Sequence, residues 1–254
     1  MSNFLYAFML SSLAGLSTLV GFIPVLFNLK KENLIILLAL AFASGVMICV
    51  SLTDLIPESF SLLKTIFKDF PALLFLLIFI TIGIIVSISI DKFLPKTDYK
   101  DVNNKKLYRL GLVAMLAIIM HNIPEGVATF LSSATNKSLG LSLALAISFH
   151  NIPEGISIAI PIYFSTKSKV KAFLYTLISG LSEPFGAILA YLFLSNIINN
   201  FIMSIILALT AGIMIHISCY ELLKESLSYK RKAITILCFV IGFSFMLLSH
   251  FLLG

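Results

Sequence analysis

Charged side chains are scarce in this 254-residue chain: they make up 12% of it, whereas hydrophobic residues make up 59%. Soluble domains carry about 25% charged residues, so this composition excludes a soluble globular protein. Apolar runs approach or exceed the roughly 20 residues that cross a hydrocarbon core as a helix. We count eight, at about 4–28, 33–60, 70–94, 107–133, 138–165, 168–194, 197–223 and 232–253. They predict an all-α polytopic membrane protein with eight transmembrane helices, forming a single transmembrane domain over residues 1–254.

The N-terminus lacks the basic segment with which a secretory signal begins. Met1, Ser2 and Asn3 lead directly into Phe4 and the first apolar run. We therefore interpret that run as a retained span rather than a cleaved signal.

Cysteine is also rare. Cys49, Cys219 and Cys238 all fall inside predicted spans, and no two of them have C-x-x-C spacing. We interpret them as small apolar residues of the helices, so the sequence predicts no thiolate metal site.

Basic residues are distributed unevenly between the loops. The loops that follow spans 2, 4 and 6 face one side of the membrane, and only three basic residues lie in or beside them: Lys64, Lys68 and Lys137. The other fifteen lie in or beside the remaining loops, including the polar stretch 95–106: Lys30, Lys31, Lys92, Lys96, Lys100, Lys105, Lys106, Arg109, Lys167, Lys169, Lys171, Lys224, Lys230, Arg231 and Lys232. Cytoplasmic loops carry an excess of Lys and Arg. We therefore expect a cell (inner) membrane protein with both termini on the non-cytoplasmic side, whose cations contact anionic lipid rather than nucleic acid.

The hexapeptide HNIPEG occurs twice, at 121–126 and 150–155, each time in the middle of an apolar run. Residues three and four apart share a helix face, so each copy presents an imidazole, an amide and a carboxylate: His121, Asn122 and Glu125, then His150, Asn151 and Glu154. Such groups are costly to hold in a membrane and usually mark a functional site. Two carboxylates close together in a low dielectric repel each other, and a divalent cation between them removes that cost. The pattern predicts an intramembrane metal site.

Each copy also contains a proline. Pro124 cannot donate to the carbonyl of Met120, and Pro153 cannot donate to that of Phe149. The sequence therefore predicts that helices 4 and 5 are broken by proline at a central metal site. Span 6 contains SEPFGA, in which Glu183 precedes Pro184, and we expect Glu183 to join the same site.

Spans 4 and 5 run in opposite directions yet carry the same motif near their middles. This places the two copies at matching depth, related by a pseudo-two-fold axis in the membrane plane. Such inverted repeats with a site at the midplane are typical of secondary transporters.

Two further polar groups lie away from the centre. Span 2 ends with Asp54 and Glu58 on one face, and span 7 contains His216 and Glu221 in its cytoplasmic half. We expect these residues to line the entry and the exit of a cation pathway. Helix-end charge at the membrane interface is the alternative for them. Glu225 is expected to be solvated, and His250 to be an interfacial residue rather than a ligand.

With HNIPEG in spans 4 and 5, SEPFGA in span 6 and eight spans with both termini outside, the chain resembles the ZIP (Zrt/Irt-like) divalent metal transporters, especially their short bacterial ZupT-type members. The resemblance implies a binuclear metal centre: one ion between His121, Glu125, His150 and Glu154, and a second held by Asn122, Asn151 and Glu183, with Glu125 and Glu154 bridging. It also implies metal uptake into the cytoplasm and a homodimer. Two features depart from the family: residues 91–106 contain no histidine, and Tyr220 precedes Glu221 where some relatives have a histidine.

Imidazole and carboxylate ligands without thiolate suit Zn²⁺ and also Fe²⁺, Mn²⁺, Co²⁺ and Cd²⁺, so we expect a broad divalent transporter without a prosthetic group.

Two other classes of protein are alternatives to a transporter. A membrane metalloenzyme is disfavoured because the order is His-Asn-x-x-Glu, without HExxH and without a second catalytic group. A metal-gated channel or sensor is still an alternative, because the sequence does not distinguish permeation through a channel from the cycle of a carrier.

Overall fold

The computed structural model describes residues 3–27, 30–93, 102–194 and 199–253, and throughout these ranges its regular structure is helical. Eight helices in them are long and apolar enough to cross a membrane, which confirms the predicted class. We number them α1 to α8: Asn3–Leu26, Glu32–Lys64, Asp69–Ile90, Lys105–Thr135, Lys137–Thr166, Lys169–Phe193, Asn200–Ser228 and Lys232–Leu252. Part of the predicted loop 95–106, with Lys96 and Lys100, lies outside the described residues, as do the predicted ends at 28, 94 and 197.

The observed spans differ most from the prediction in α2 and α7, which end four and five residues later, at Lys64 and Ser228. Long charged side chains reach the interface while their stems cover apolar surface, so a charge such as Lys64 or Glu225 does not end a membrane helix. The start of α7 is set by Asn199, whose side-chain oxygen accepts a hydrogen bond from the backbone N–H of Ile202.

Asparagine and serine also begin the other central helices. Asn104 caps α4 and Ser168 caps α6, each accepting a backbone N–H through its side chain. Asn136 is at once the last-turn cap of α4 and the N-cap of α5. Such caps satisfy N–H groups that the helix leaves free. A connection of one residue makes α4 and α5 an antiparallel hairpin.

The predicted proline breaks are not seen. Helix α4 continues through Pro124, and α5 continues through both Pro153 and Pro161. A proline removes one hydrogen bond, and buried neighbours keep the rest of the helix in place. Local kinking at these prolines stays a prediction.

Irregular backbone occurs instead in four other helices. A tighter 3₁₀ segment occupies Thr18–Phe22 in α1, and wider π turns occupy Ser51–Leu55 in α2, Ala190–Leu194 in α6 and Ile217–Leu223 in α7. Asp54 lies in the first of these turns and Glu221 in the last. Single π turns inserted in α-helices are frequent at functional sites.

Glycines bring α1, α4, α5 and α6 into backbone contact. A Cβ atom on Gly126 of α4 would overlap the backbone of Glu183 in α6, and one on the equivalent Gly155 of α5 would overlap that of Thr18 in α1. Glycines of α6 and α1 make the corresponding contacts with α4 and α5: Gly186 of α6 lies against the backbone of Ile123, and Gly21 of α1 lies against that of the equivalent Ile152. The same close contacts therefore recur at matched positions of the two motifs, and the inverted repeat itself stays a prediction.

The outer helices pack in two similar pairs. Helices α2 and α8 meet through Gly45 and Gly242, and α7 and α3 meet through Gly212 and Gly83. Within the 18-residue apolar stretch of each helix, only 17% of the residues of α3 and 22% of those of α8 are buried, whereas 44 to 67% are buried in the other six helices. Helices α3 and α8 therefore form the periphery, and the polar motifs lie in the interior.

Because Gly126 lies against backbone, which cannot move aside, Gly126→Ala should destabilise the fold by about 1–3 kcal/mol. Gly111→Ala is the matched control, since the added methyl meets chiefly the flexible side chain of Ile162. Thermal unfolding in detergent should show a lower midpoint for the Gly126 variant than for the Gly111 variant. Equal midpoints would contradict the proposed backbone contact between α4 and α6.

Candidate metal centre

The two HNIPEG copies lie near the midpoints of α4 and α5, deep in the bundle. All seven predicted ligands are buried, with no residue more than 4% exposed: His121, Asn122, Glu125, His150, Asn151, Glu154 and Glu183. The structure therefore brings together, out of contact with solvent, the polar residues that the sequence singled out.

The histidines and glutamates pair across the two helices rather than within each motif. His121 Nε2 lies 2.9 Å from Glu154 Oε1, and His150 Nε2 lies 3.3 Å from Glu125 Oε1. The first contact is a hydrogen bond. The second lacks hydrogen-bond geometry, so Glu125 and His150 lie close together without satisfying each other.

The bond between His121 and Glu154 requires a proton. His121 Nδ1 lies 3.1 Å from the carbonyl oxygen of Ala117, which can only accept, so Nδ1 carries a hydrogen. A hydrogen bond from Nε2 to Glu154 then needs one further proton, on the imidazole or on the carboxyl group. A metal ion bound by both atoms would take the place of that proton.

Helices α1 and α6 orient the amides. Asn151 donates from Nδ2 to the carbonyl of Ala14 at 2.8 Å and to Glu183 Oε2 at 2.9 Å. Asn122 donates from Nδ2 to the carbonyl of Ser179 at 3.3 Å. With the amide nitrogens held by these acceptors, the amide oxygens of both residues are left without a hydrogen-bond donor.

Six buried oxygens of the centre have no hydrogen-bond partner among the described residues: Asn122 Oδ1, Glu125 Oε1, Glu125 Oε2, Asn151 Oδ1, Glu154 Oε2 and Glu183 Oε1. Leaving a buried acceptor unsatisfied costs about 1–3 kcal/mol, and more if it is charged. Six acceptors without donors form an environment that favours a cation. The donor set of carboxylate, amide and imidazole fits a divalent ion.

The ligands are paired with one another rather than spread around an open position. Among the described residues, no three His, Cys, Asp or Glu side chains converge in an arrangement ready to hold a metal ion. In this arrangement the histidines and glutamates contact one another instead of surrounding a common point.

Of the predicted entry residues, Asp54 is partly buried and Glu58 is exposed. Asp54 Oδ1 accepts a hydrogen bond from Thr53 Oγ1 at 2.7 Å and lies 2.8 Å from His250 Nδ1. The sequence assigned His250 to the interface alone and missed its contact with Asp54, because nearly 200 residues separate the two.

Of the predicted exit residues, His216 lies next to Ser87 of α3, with Nδ1 2.9 Å from Oγ, and its ring stacks on that of Tyr220. Glu221 is partly buried in the π turn of α7. Glu225 was expected in solvent, and this was wrong. Its side chain is 12% exposed and forms a 2.5 Å ion pair with Lys106 at the start of α4.

Sequence reasoning did not identify the backbone groups that shape the centre. The carbonyls of Ala14 and Ser179 hold the two amides, but a carbonyl leaves no signal in the side-chain pattern. Gly15 and Gly180, each adjacent to one of these residues, were recognisable as small residues at which helices can approach closely.

Comparison with known proteins identifies the family. The profile of the family described as ZIP zinc transporter matches residues 96–250. This chain belongs to that family. It is 38% identical to the zinc transporter ZupT of Clostridium perfringens, with 98% of this chain and 96% of the relative aligned. It is 39% identical to the ZupT of Streptococcus mutans over 98% of both chains, and 40% identical to that of Oceanobacillus iheyensis over the full length of both.

As a ZIP family member with eight apolar helices, the chain is a multi-pass membrane protein of a transporter family. We expect Zn²⁺ to raise its thermal midpoint in detergent, because a ligand at about 100 times its Kd stabilises the native state by about 2.7 kcal/mol. The Glu125→Ala/Glu154→Ala variant should lose this shift.

The matched control is Glu32→Ala, which removes a glutamate from an exposed ion pair with Lys167 and should keep the shift. If zinc stabilised the Glu125→Ala/Glu154→Ala variant as much as the parent, the ion would bind elsewhere.

Proposed function

We propose that this protein transports divalent transition-metal ions, zinc foremost, into the cytoplasm through an intramembrane His/Glu/Asn centre. The observation that carries the proposal is the group of six buried oxygens without donors beside two crossed His–Glu pairs. The names of the relatives, zinc transporters of other bacteria, support zinc as a substrate.

The centre that we propose is binuclear. One ion is held by the crossed pairs, His121 with Glu154 and His150 with Glu125. The second is held by Asn122, Asn151 and Glu183, and the free oxygens of Glu125 and Glu154 bridge the two ions. The hydrogen bond from Asn151 to Glu183 supports the second group, because it already joins two of its three members.

The donor set determines the range of metals. Nitrogen and oxygen donors without thiolate bind Zn²⁺, Fe²⁺, Mn²⁺, Co²⁺ and Cd²⁺ without strong preference for one of them. We therefore propose transport of several of these ions, carried as substrate, with no prosthetic group and no enzymatic turnover.

Direction follows from charge and burial. The excess of Lys and Arg in the alternate loops supports an orientation in which the face that carries Asn3 is on the non-cytoplasmic side of the cell membrane. Asp54 and Glu58 lie in the half of α2 toward this face, and His216 and Glu221 lie in the opposite half of α7. Because the centre is buried from both faces, passage requires alternating access. The apolar surfaces of α3 and α8 are available for a homodimer in the membrane.

Uptake into proteoliposomes tests the proposal. Zn²⁺, Fe²⁺, Mn²⁺, Co²⁺ and Cd²⁺ should enter saturably, and Mg²⁺ and Ca²⁺ should not. His121→Ala/Glu125→Ala should reduce uptake at least as much as the loss of a partner that orients a ligand, about 10- to 100-fold. Glu32→Ala again serves as the control.

Counterflow distinguishes a carrier from a channel, since only a carrier accelerates tracer entry when the lumen is preloaded with metal. Tight zinc binding without uptake would reject transport and leave a sensor. If the His121→Ala/Glu125→Ala variant folded and still took up metal at the full rate, the crossed His–Glu pairs would not be part of the transport pathway.

A further inference from the structure

His250 and Asp54 form a polar contact between α8 and α2 that the central site does not use. His250 Nδ1 lies 2.8 Å from Asp54 Oδ1, and the two side chains are 46% and 28% exposed. An imidazole near the end of a peripheral helix would face lipid or water. Here it is instead turned towards a carboxylate.

Asp54 is held in a defined position. It lies in the π turn Ser51–Leu55. Thr53 Oγ1 lies 2.7 Å from the same Oδ1 that contacts His250, and 2.9 Å from the carbonyl oxygen of Cys49, so its one hydrogen is shared between these two acceptors. Helices α2 and α8 are in backbone contact at Gly45 and Gly242. This close packing keeps Asp54 and His250 opposite each other.

This arrangement prepares His250 to bind a metal. A neutral imidazole that donates from Nδ1 to a carboxylate keeps its lone pair on Nε2. A carboxylate behind the imidazole is also the usual support of a metal-binding histidine, because it fixes the tautomer and makes the ring more basic. The free Nε2 belongs to a side chain that is nearly half exposed, where a hydrated ion can reach it.

We propose that Asp54 and His250 form a capture site for divalent transition-metal ions at the outer mouth of the pathway. His250 Nε2 replaces one water of the incoming ion, and Asp54 then passes the ion towards the centre. This inference rests on the proposed transport function and extends it to a residue of α8.

One protein ligand is enough for this role. Among the described residues no group of three ligating side chains is found, so an ion bound to His250 Nε2, with Asp54 supporting the other side of the ring, keeps most of its water and leaves readily. Asp54 belongs to α2, which packs against α5, the helix that carries His150 of the centre. Imidazole favours zinc-like ions over Mg²⁺ and Ca²⁺, which prefer oxygen, so selection begins at this pair.

Uptake kinetics provide the first test. His250→Ala should raise the KM for Zn²⁺ about tenfold and leave Vmax within about twofold, because the ligand lost acts in capture rather than in translocation. Leu248→Ala, at a lipid-exposed position of the same helix, should leave both parameters unchanged.

His250→Gln separates capture from a structural role. The glutamine amide can donate to Asp54, as the imidazole does, but it is a poor transition-metal ligand. A raised KM in this variant supports capture. A KM like that of the parent in either His250 variant, or a change confined to Vmax, would overturn the proposal.

Direct binding provides a test that does not depend on transport. Equilibrium dialysis with Zn²⁺ of the Glu125→Ala/Glu154→Ala protein should reveal one remaining weak site, and adding His250→Ala should remove it. If weak binding is absent from the first variant or persists in the second, there is no capture site at His250. If the parent protein transports no metal, the transport function fails, and the dialysis still decides whether the pair binds zinc.

Discussion

The crossed contacts between α4 and α5 are the constraint on which the rest of this structure depends. Two glutamates and two histidines are buried between antiparallel helices, and each imidazole meets the carboxylate of the other helix. In a low dielectric such groups are stable only when charge is balanced. Each His–Glu pair balances part of this charge. Six oxygens of the centre still have no hydrogen-bond donor, and a divalent cation would satisfy them.

Close helix packing makes this arrangement possible. Gly126 and Gly155, the last residues of the two motifs, let α6 and α1 approach the backbone beside the ligands. The carbonyls of Ser179 and Ala14 then reach Asn122 and Asn151. The motif therefore carries both the polar side chains of the centre and the glycine that lets the neighbouring helices reach them.

Irregular backbone also occurs in two of the outer helices, α2 and α7, which supply none of the seven residues of the centre. The π turns of α2 and α7 contain Asp54 and Glu221, one in each half of the bundle. A π turn shifts the side chains that follow it around the helix axis. The acid of α2 is directed towards α8, where it contacts His250, and the acid of α7 remains partly buried.

The sequence by itself determined the eight helices and the seven residues of the centre, because membrane spans and buried ligands are both written in local composition and in a repeated motif. It could not determine that His121 pairs with Glu154, that His250 meets Asp54 or that Glu225 meets Lys106, because these contacts join residues far apart in the chain. The breaks predicted at Pro124 and Pro153 are not confirmed: α4 and α5 continue through both prolines, since packing against neighbouring helices outweighs the loss of one hydrogen bond. Only the tertiary structure decided these points, because each depends on which helices become neighbours and how closely their glycines let them approach.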